Sequence, residues 1–240
     1  MRKVCKVLLF VIFLITLSNS LVLSQVLKVG FLLGSPYAFW QVSNFTGVDY
    51  EILSKVALKI GYQMEIYVLP FNSIDPSILG KLGLDIVAGG IHVTEERQKT
   101  YNFSVPYAES GLAIVLRKGL TWNGDVEEIK FAVKQGATGQ NLVEQWKKEG
   151  KKVQYTSFIS NEEIITELIL KRYDAAFFDY LDALYIAKNY GLSLYENLMY
   201  RVNLGYIILN KQLEQKINKA LADIAKDIPV IISKYVGPVT

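Results

Sequence analysis

The stretch LDIVAGGIHVTEER, residues 84–97, passes from an apolar run through a Gly-Gly pair into a short charged segment. Its opening residues read as a buried strand, because a short apolar run closed by glycine suits a strand covered on both faces. Thr94 has the position of a helix N-cap, and Glu95 and Glu96 follow where the helix dipole favours negative charge. Arg97 stands in that same first turn, where positive charge is disfavoured. Two readings are open. The side chain is either solvated beside a neighbouring glutamate, or it is a guanidinium placed to hold a carboxylate in two parallel hydrogen bonds. Gly90 likewise either forms a tight turn or lets a ligand approach the backbone.

Working outward, short β-rich runs alternate with helical ones. LKVGFLL reads as a strand, DYEILSKVALKIG as an amphipathic helix ending at Gly61, QMEIYVLP as a strand, and LDIVAGG as the next. This βαβ order implies parallel sheet. Further on, GLAIVLRKG, KFAVKQG, KVQYTS and DAAFFD read as strands, with helices in QNLVEQWKKEG, in NEEIITELILKR and over about 180–189. LGYIILN is a last strand before a long helix, KQLEQKINKALADIAKDI. The expectation is an α/β chain of two units. The turn-rich RKGLTWNGD marks one crossing and YRVNLGY a second, which gives a first lobe from 26–114 and 203–240 and a second from 115–202.

Composition narrows the function. The 240 residues are 51% hydrophobic and 20% charged, with no long polar tract, so a folded chain is expected throughout. MRKVCK, the apolar VLLFVIFLITL and the small-residue SNSLVLSQ follow in the order of a secretory signal peptide over residues 1–25. The competing reading is an uncleaved membrane anchor. Either places the protein outside the cytoplasm, periplasmic or at the cell surface, free or tethered. Cys5 lies too early to carry a lipid at the cleavage region. Removing this segment takes Arg2, Lys3 and Lys6 from the 26 basic groups and nothing from the 23 acidic ones, so the remainder is near neutral. Nucleic acid is not an expected partner. Beyond residue 25 there is no cysteine and one histidine, His92, which leaves no disulfide, no Cys-rich zinc site and no His-pair metal site. Any Ser-His-Asp triad would need His92, and no metal or cofactor is expected.

In open α/β sheets, ligands bind beyond the carboxyl ends of strands. Two more such ends carry suggestive residues. KFAVKQGATGQ runs from a strand into a helix, and free N–H groups around Thr138 and Gly139 would attract an anion or simply be capped. It lacks the spacing of a nucleotide-binding glycine loop. YDAAFFDY closes on Asp179, which is either the N-cap of the next helix or the acid for a bound cation such as an ammonium. Arg97 with a helix N-terminus for a carboxylate, and Asp179 for an ammonium, make the charge layout of a free α-amino acid.

LDIVAGGIHVTEERQKTYNFSVPYAESGLAIVLRKG, FAVKQGATG, RYDAAFFD and GYIILNKQLEQKINKALADI, in this order, resemble the extracellular solute-binding proteins for polar amino acids that feed ABC transporters, bacterial family 3. The resemblance covers the chain from LKVG to the final helix. It implies a two-lobed periplasmic-binding-protein-like fold of type II, with two crossing hinge segments closing on the ligand. It also implies a monomer that hands an amino acid to a permease. By motif position, Arg97 resembles the carboxylate clamp, Gly90 the residue whose carbonyl accepts from the ammonium, Asp179 the acid that pairs with it, and Thr138 the second-lobe group that meets the carboxylate. In SPYAFW, Tyr37 or Phe39 matches an aromatic packed on the ligand, and either is equally a core residue.

Three departures stand out. His92 replaces a hydroxyl that donates to the carboxylate, and is either a ligand contact or a hydrogen-bonded structural group. Val105 replaces an aspartate, and GFLLGS has no acid, which disfavours basic ligands. Lys134, either solvated or facing a polar ligand side chain, points to a neutral or acidic amino acid. Two alternatives remain: a cyclohexadienyl dehydratase-like enzyme, for which no second acid is suitably placed, and a ligand sensor.

Overall fold

A computed structural model describes residues 25–70, 73–195 and 198–238. The leader expected over 1–25 lies outside these except for Gln25, which opens β1 (Gln25–Leu32). Then come the hairpin β2 (Phe39–Gln41) and β3 (Asn44–Thr46), helix α1 (Val48–Ile60), β4 (Tyr62–Leu69), the single turn α2 (Pro76–Leu79) and β5 (Ile86–Ala88). Helix α1 stops at Gly61, whose φ of 76° suits glycine and closes the last turn. β1 lies between β4 and β5, parallel to both, as the βαβ order requires.

After β5 come the single turn α3 (Glu95–Gln98) and β6 (Ala108–Leu116), where a second sheet begins. It is built by β7 (Lys130–Lys134), α4 (Thr138–Lys148), β8 (Gln154–Phe158), α5 (Asn161–Ile169), β9 (Ala175–Asp179), α6 (Tyr180–Tyr190), β10 (Ser193–Leu194) and β11 (Tyr200–Leu204). The strand order is β10-β6-β9-β7-β8, with β11 also paired to β6. In β9, Ala175 and Phe177 face one core cluster while Ala176 and Phe178 face the other. A strand covered on both sides has no polar face, which is why DAAFFD is apolar throughout its middle.

The chain then returns to the first sheet through β12 (Ile207–Ile208), antiparallel to β5. Helices α7 (Glu214–Asp223) and α8 (Ile228–Val236) follow, and Ile217, Leu221, Ile228 and Ile232 join the core built on β1 and α1. The single long helix expected here is two, because the chain breaks at residues 224–227. Pro229 lacks an N–H and fits the first turn of a new helix.

The two passages between sheets run side by side. Phe103 bridges Ile207, Ser104 N–H donates to the Tyr206 carbonyl at 2.8 Å, and Tyr107 N–H donates to the Leu204 carbonyl at 3.1 Å. The Tyr107 and Tyr206 rings stack at 4.7 Å. The division points expected at 114/115 and 202/203 both fall inside strands of the second sheet, β6 and β11. β6 starts in AES, which carries no turn residue to mark it, whereas the conspicuous turn residues lie at its far end.

Candidate functional site

The ends of β5, β7 and β9 and the segment after β1 meet in a cleft of about 570 Å3, counting its open mouth. Tyr37, Gly90, His92, Arg97, Lys134, Thr138 and Asp179 all line it. Phe39 does not. It packs between Tyr185 and Tyr235, with ring centroids at 5.8 and 6.1 Å, because β2 points it into the core of the first sheet.

Asp179 ends β9 and caps α6, so its carboxylate sits where a helix dipole favours it. One oxygen accepts from Leu181 N–H at 2.9 Å and from the Tyr37 hydroxyl. The other accepts from the Ser110 hydroxyl at 2.6 Å and from His92 Nε2 at 2.9 Å. The helix-cap reading and the cleft position hold together. Four donors fill the carboxylate's acceptor sites. His92 Nδ1 faces Thr138 Oγ1 at 3.2 Å, a hydroxyl that can both donate and accept. The imidazole, carried after β5 in the first sheet, thus spans two groups of the second.

Thr94 caps α3, its hydroxyl accepting from Arg97 N–H at 3.2 Å. The dipole argument about Arg97 falls away, since α3 is one turn long and Arg97 lies as near its end as its start. What distinguishes the residue is its surroundings. Its Nη1 donates to the His92 carbonyl at 3.2 Å, and among the described residues it forms no ion pair. Burial lowers its pKa, against the neighbouring Tyr200, Tyr101 and Glu96. A guanidinium withdrawn from water without an acid is unfavourable until an anion arrives.

Gly89 and Gly90 have φ of 134° and 64°, and their N–H groups donate to Asp49 Oδ2 at 2.8 and 2.9 Å. A Cβ on Gly90 would meet the Tyr37 ring at 2.3 Å. Glycine is therefore needed here by the turn and by the aromatic wall together. Asp49 is fully buried in the first turn of α1 and also accepts from the Tyr206 hydroxyl at 3.2 Å. Burial pushes its pKa up to about 6, with the hydrogen bonds opposing.

Helix α4 opens on Thr138 with no side chain capping it, unlike α3 and α5. Its N-terminus faces the cleft through Ala137, Thr138 and Gly139. Lys134, at the end of β7, is buried rather than solvated. Burial lowers its pKa against Asp182 and Glu162.

Two cleft residues escaped the sequence reading. Asp182 and Asn161 are both buried, and Asn161 Nδ2 donates to Asp182 Oδ2 at 3.1 Å. Burial and Asp179 raise the Asp182 pKa well above the carboxylate range, with Lys134 opposing. The expectation that no second acid is suitably placed is corrected. Its three-residue spacing from Asp179 at a helix start was the available signal.

Known proteins agree with this architecture. The chain is 29% identical over 203 residues to a probable amino-acid-binding protein, YxeM, of Bacillus subtilis strain 168, covering 80% of this chain and 75% of that protein. An ancestral arginine-binding protein bound to arginine superposes with a TM-score of 0.79 at 30% identity, over 88% of this chain and 98% of its own. An ancestral amino acid-binding protein described as a precursor of cyclohexadienyl dehydratase does so with a TM-score of 0.75 at 26% identity, over 88% and 95%. Residues 27–238 match a single family along nearly the whole described chain, and this protein belongs to the bacterial extracellular solute-binding proteins, family 3.

Proposed function

We propose that this protein captures a free amino acid between its two lobes outside the cytoplasm and delivers it, unchanged, to an ABC transporter permease. The observation that carries the reading is Arg97, a partly buried guanidinium with no acid partner among the described residues, facing the same cleft as Asp179. In this reading Arg97 and the uncapped start of α4 receive the ligand carboxylate. The ammonium takes the place of His92 Nε2 on Asp179. The lobes meet along the paired segments 103–107 and 204–207, and ligand shifts the open–closed population through the contacts that closure adds.

A thermal-shift screen of the protein against the twenty amino acids, with arogenate and prephenate, tests the proposal. One or a few amino acids should raise the unfolding temperature and be recovered unaltered. The enzyme reading is favoured by one observation, the buried Asp182 with its raised pKa, which is what a general acid requires. Product released from a ring substrate would establish it in place of transport.

A further inference from the structure

We infer that Asp182, Lys134 and Asn161 form a subsite for a primary carboxamide, so that the captured ligand is an amino acid of the asparagine or glutamine kind. The inference rests on the amino-acid reading of the cleft. Asp182 lies in the first turn of α6, three residues past Asp179, and is only 8% exposed. One of its oxygens accepts from Asn161 at 3.1 Å, while the other, Oδ1, has no hydrogen-bond partner among the described residues. Asp182, Asn161 and Lys134 all line the cleft. A buried acceptor left open in a ligand cleft is unfavourable by itself and is satisfied by a ligand donor.

Charge decides which donor. Burial raises Asp182 and lowers Lys134, and each opposes the effect on the other. With both ionised, Lys134 and Asp182 carry opposite charges that sum to zero. A cationic ligand side chain would add an uncompensated charge beside Lys134, and a carboxylate would add one beside Asp182. An aliphatic side chain would leave Oδ1 unsatisfied. A carboxamide supplies both complements, its NH2 donating to Asp182 Oδ1 and its carbonyl accepting from Lys134 Nζ. Asn161 holds the other carboxylate oxygen. This narrows the neutral-or-acidic preference drawn from Lys134 alone.

The test is isothermal titration of the full chain with glutamine, asparagine, glutamate, aspartate, arginine and leucine. Either carboxamide should bind about tenfold or more tighter than its matching acid, and tighter than arginine or leucine. Asp182→Asn places an amide donor where the open oxygen stood, and should shrink or reverse the carboxamide-over-acid ratio by about tenfold. Lys134→Met should weaken the carboxamides more than leucine. A wild-type chain that prefers an acidic, basic or aliphatic amino acid overturns the inference whether or not the variants fold. So does a folded Asp182→Asn chain with an unaltered ratio. If the wild type binds no amino acid at all, the amino-acid reading fails and the subsite with it. Binding without carboxamide preference removes the subsite alone.

Discussion

His92 holds with its two nitrogens Thr138 and Asp179, the groups proposed above for the two charged ends of an amino acid. A ligand must therefore displace the imidazole or share the cleft with it. Displacement predicts that His92→Ser binds its ligand about tenfold more tightly, since the competing hydrogen bonds are gone. Weaker binding in a titration of that variant would make the imidazole a ligand contact. Arg97→Ala should lose about 2–5 kcal/mol of affinity while its urea midpoint stays near the wild type, because the guanidinium supports a ligand rather than the fold. Retained affinity would sink the carboxylate-clamp assignment. Asp49 makes a pH prediction. Its pKa rises on folding from 3.8 to about 6, so between these values the folded state binds more protons than the unfolded. Its contribution is fully present below pH 3.8 and is lost as pH rises through about 6, a change on the order of 3 kcal/mol. Urea titrations from pH 4 to 7 should show Asp49→Asn gaining on the wild type across that window. Parallel curves would mean the carboxylate stays ionised throughout.

At the scale of elements, most strands were legible because apolar runs ended on glycine, lysine or aspartate, and β5, β7 and β9 lie where those runs do. The Thr94 cap was equally readable, since capping needs only local chemistry. Helix length was not. Nothing local told that α3 would stop after one turn, while the division of residues 211–228 falls just ahead of Pro229, a signal that was in the sequence. The cleft followed the same rule. Asp179 ends a strand, Thr138 opens the helix after β7 and Arg97 lies in α3 after β5, all beside readable motifs, whereas Asp182 and Asn161 line the cleft only because two helix starts converge. Phe39 took the core reading left open for it, and that choice was not legible because the side of a three-residue hairpin strand is set by its partner strand. Gly139, second in α4, would bring a Cβ within 2.4 Å of Phe177 Cβ. Alanine favours a helix over glycine by about 1 kcal/mol, and overpacking costs about 1–3 kcal/mol. With contact this close the clash prevails. Gly139→Ala should lower the urea midpoint and weaken ligand binding as the start of α4 is pushed from the cleft. An unchanged midpoint would mean that β9 gives way without cost.

For the whole molecule, two sheets joined by two adjacent passages make a body whose stability and occupancy are linked. Ligand at about a hundred times its dissociation constant adds about 2.7 kcal/mol to the folded state. For a chain of this size that raises the midpoint by roughly 5–10 °C, read directly by differential scanning calorimetry. Arg97→Ala should show no such rise at the same ligand concentration. That there would be two units was legible from the alternation of strand and helix. Where they divide was legible in part: YRVNLGY overlaps the passage at 204–207, whereas the passage at 103–107 lies ahead of β6, away from the turn-rich RKGLTWNGD. Under the delivery proposed above, the bridge from His92 to Thr138 and Asp179 would let a copy without cargo hold its two sheets together. Shape alone would then be a poor token of cargo, and a permease would meet idle copies as competitors for its docking site.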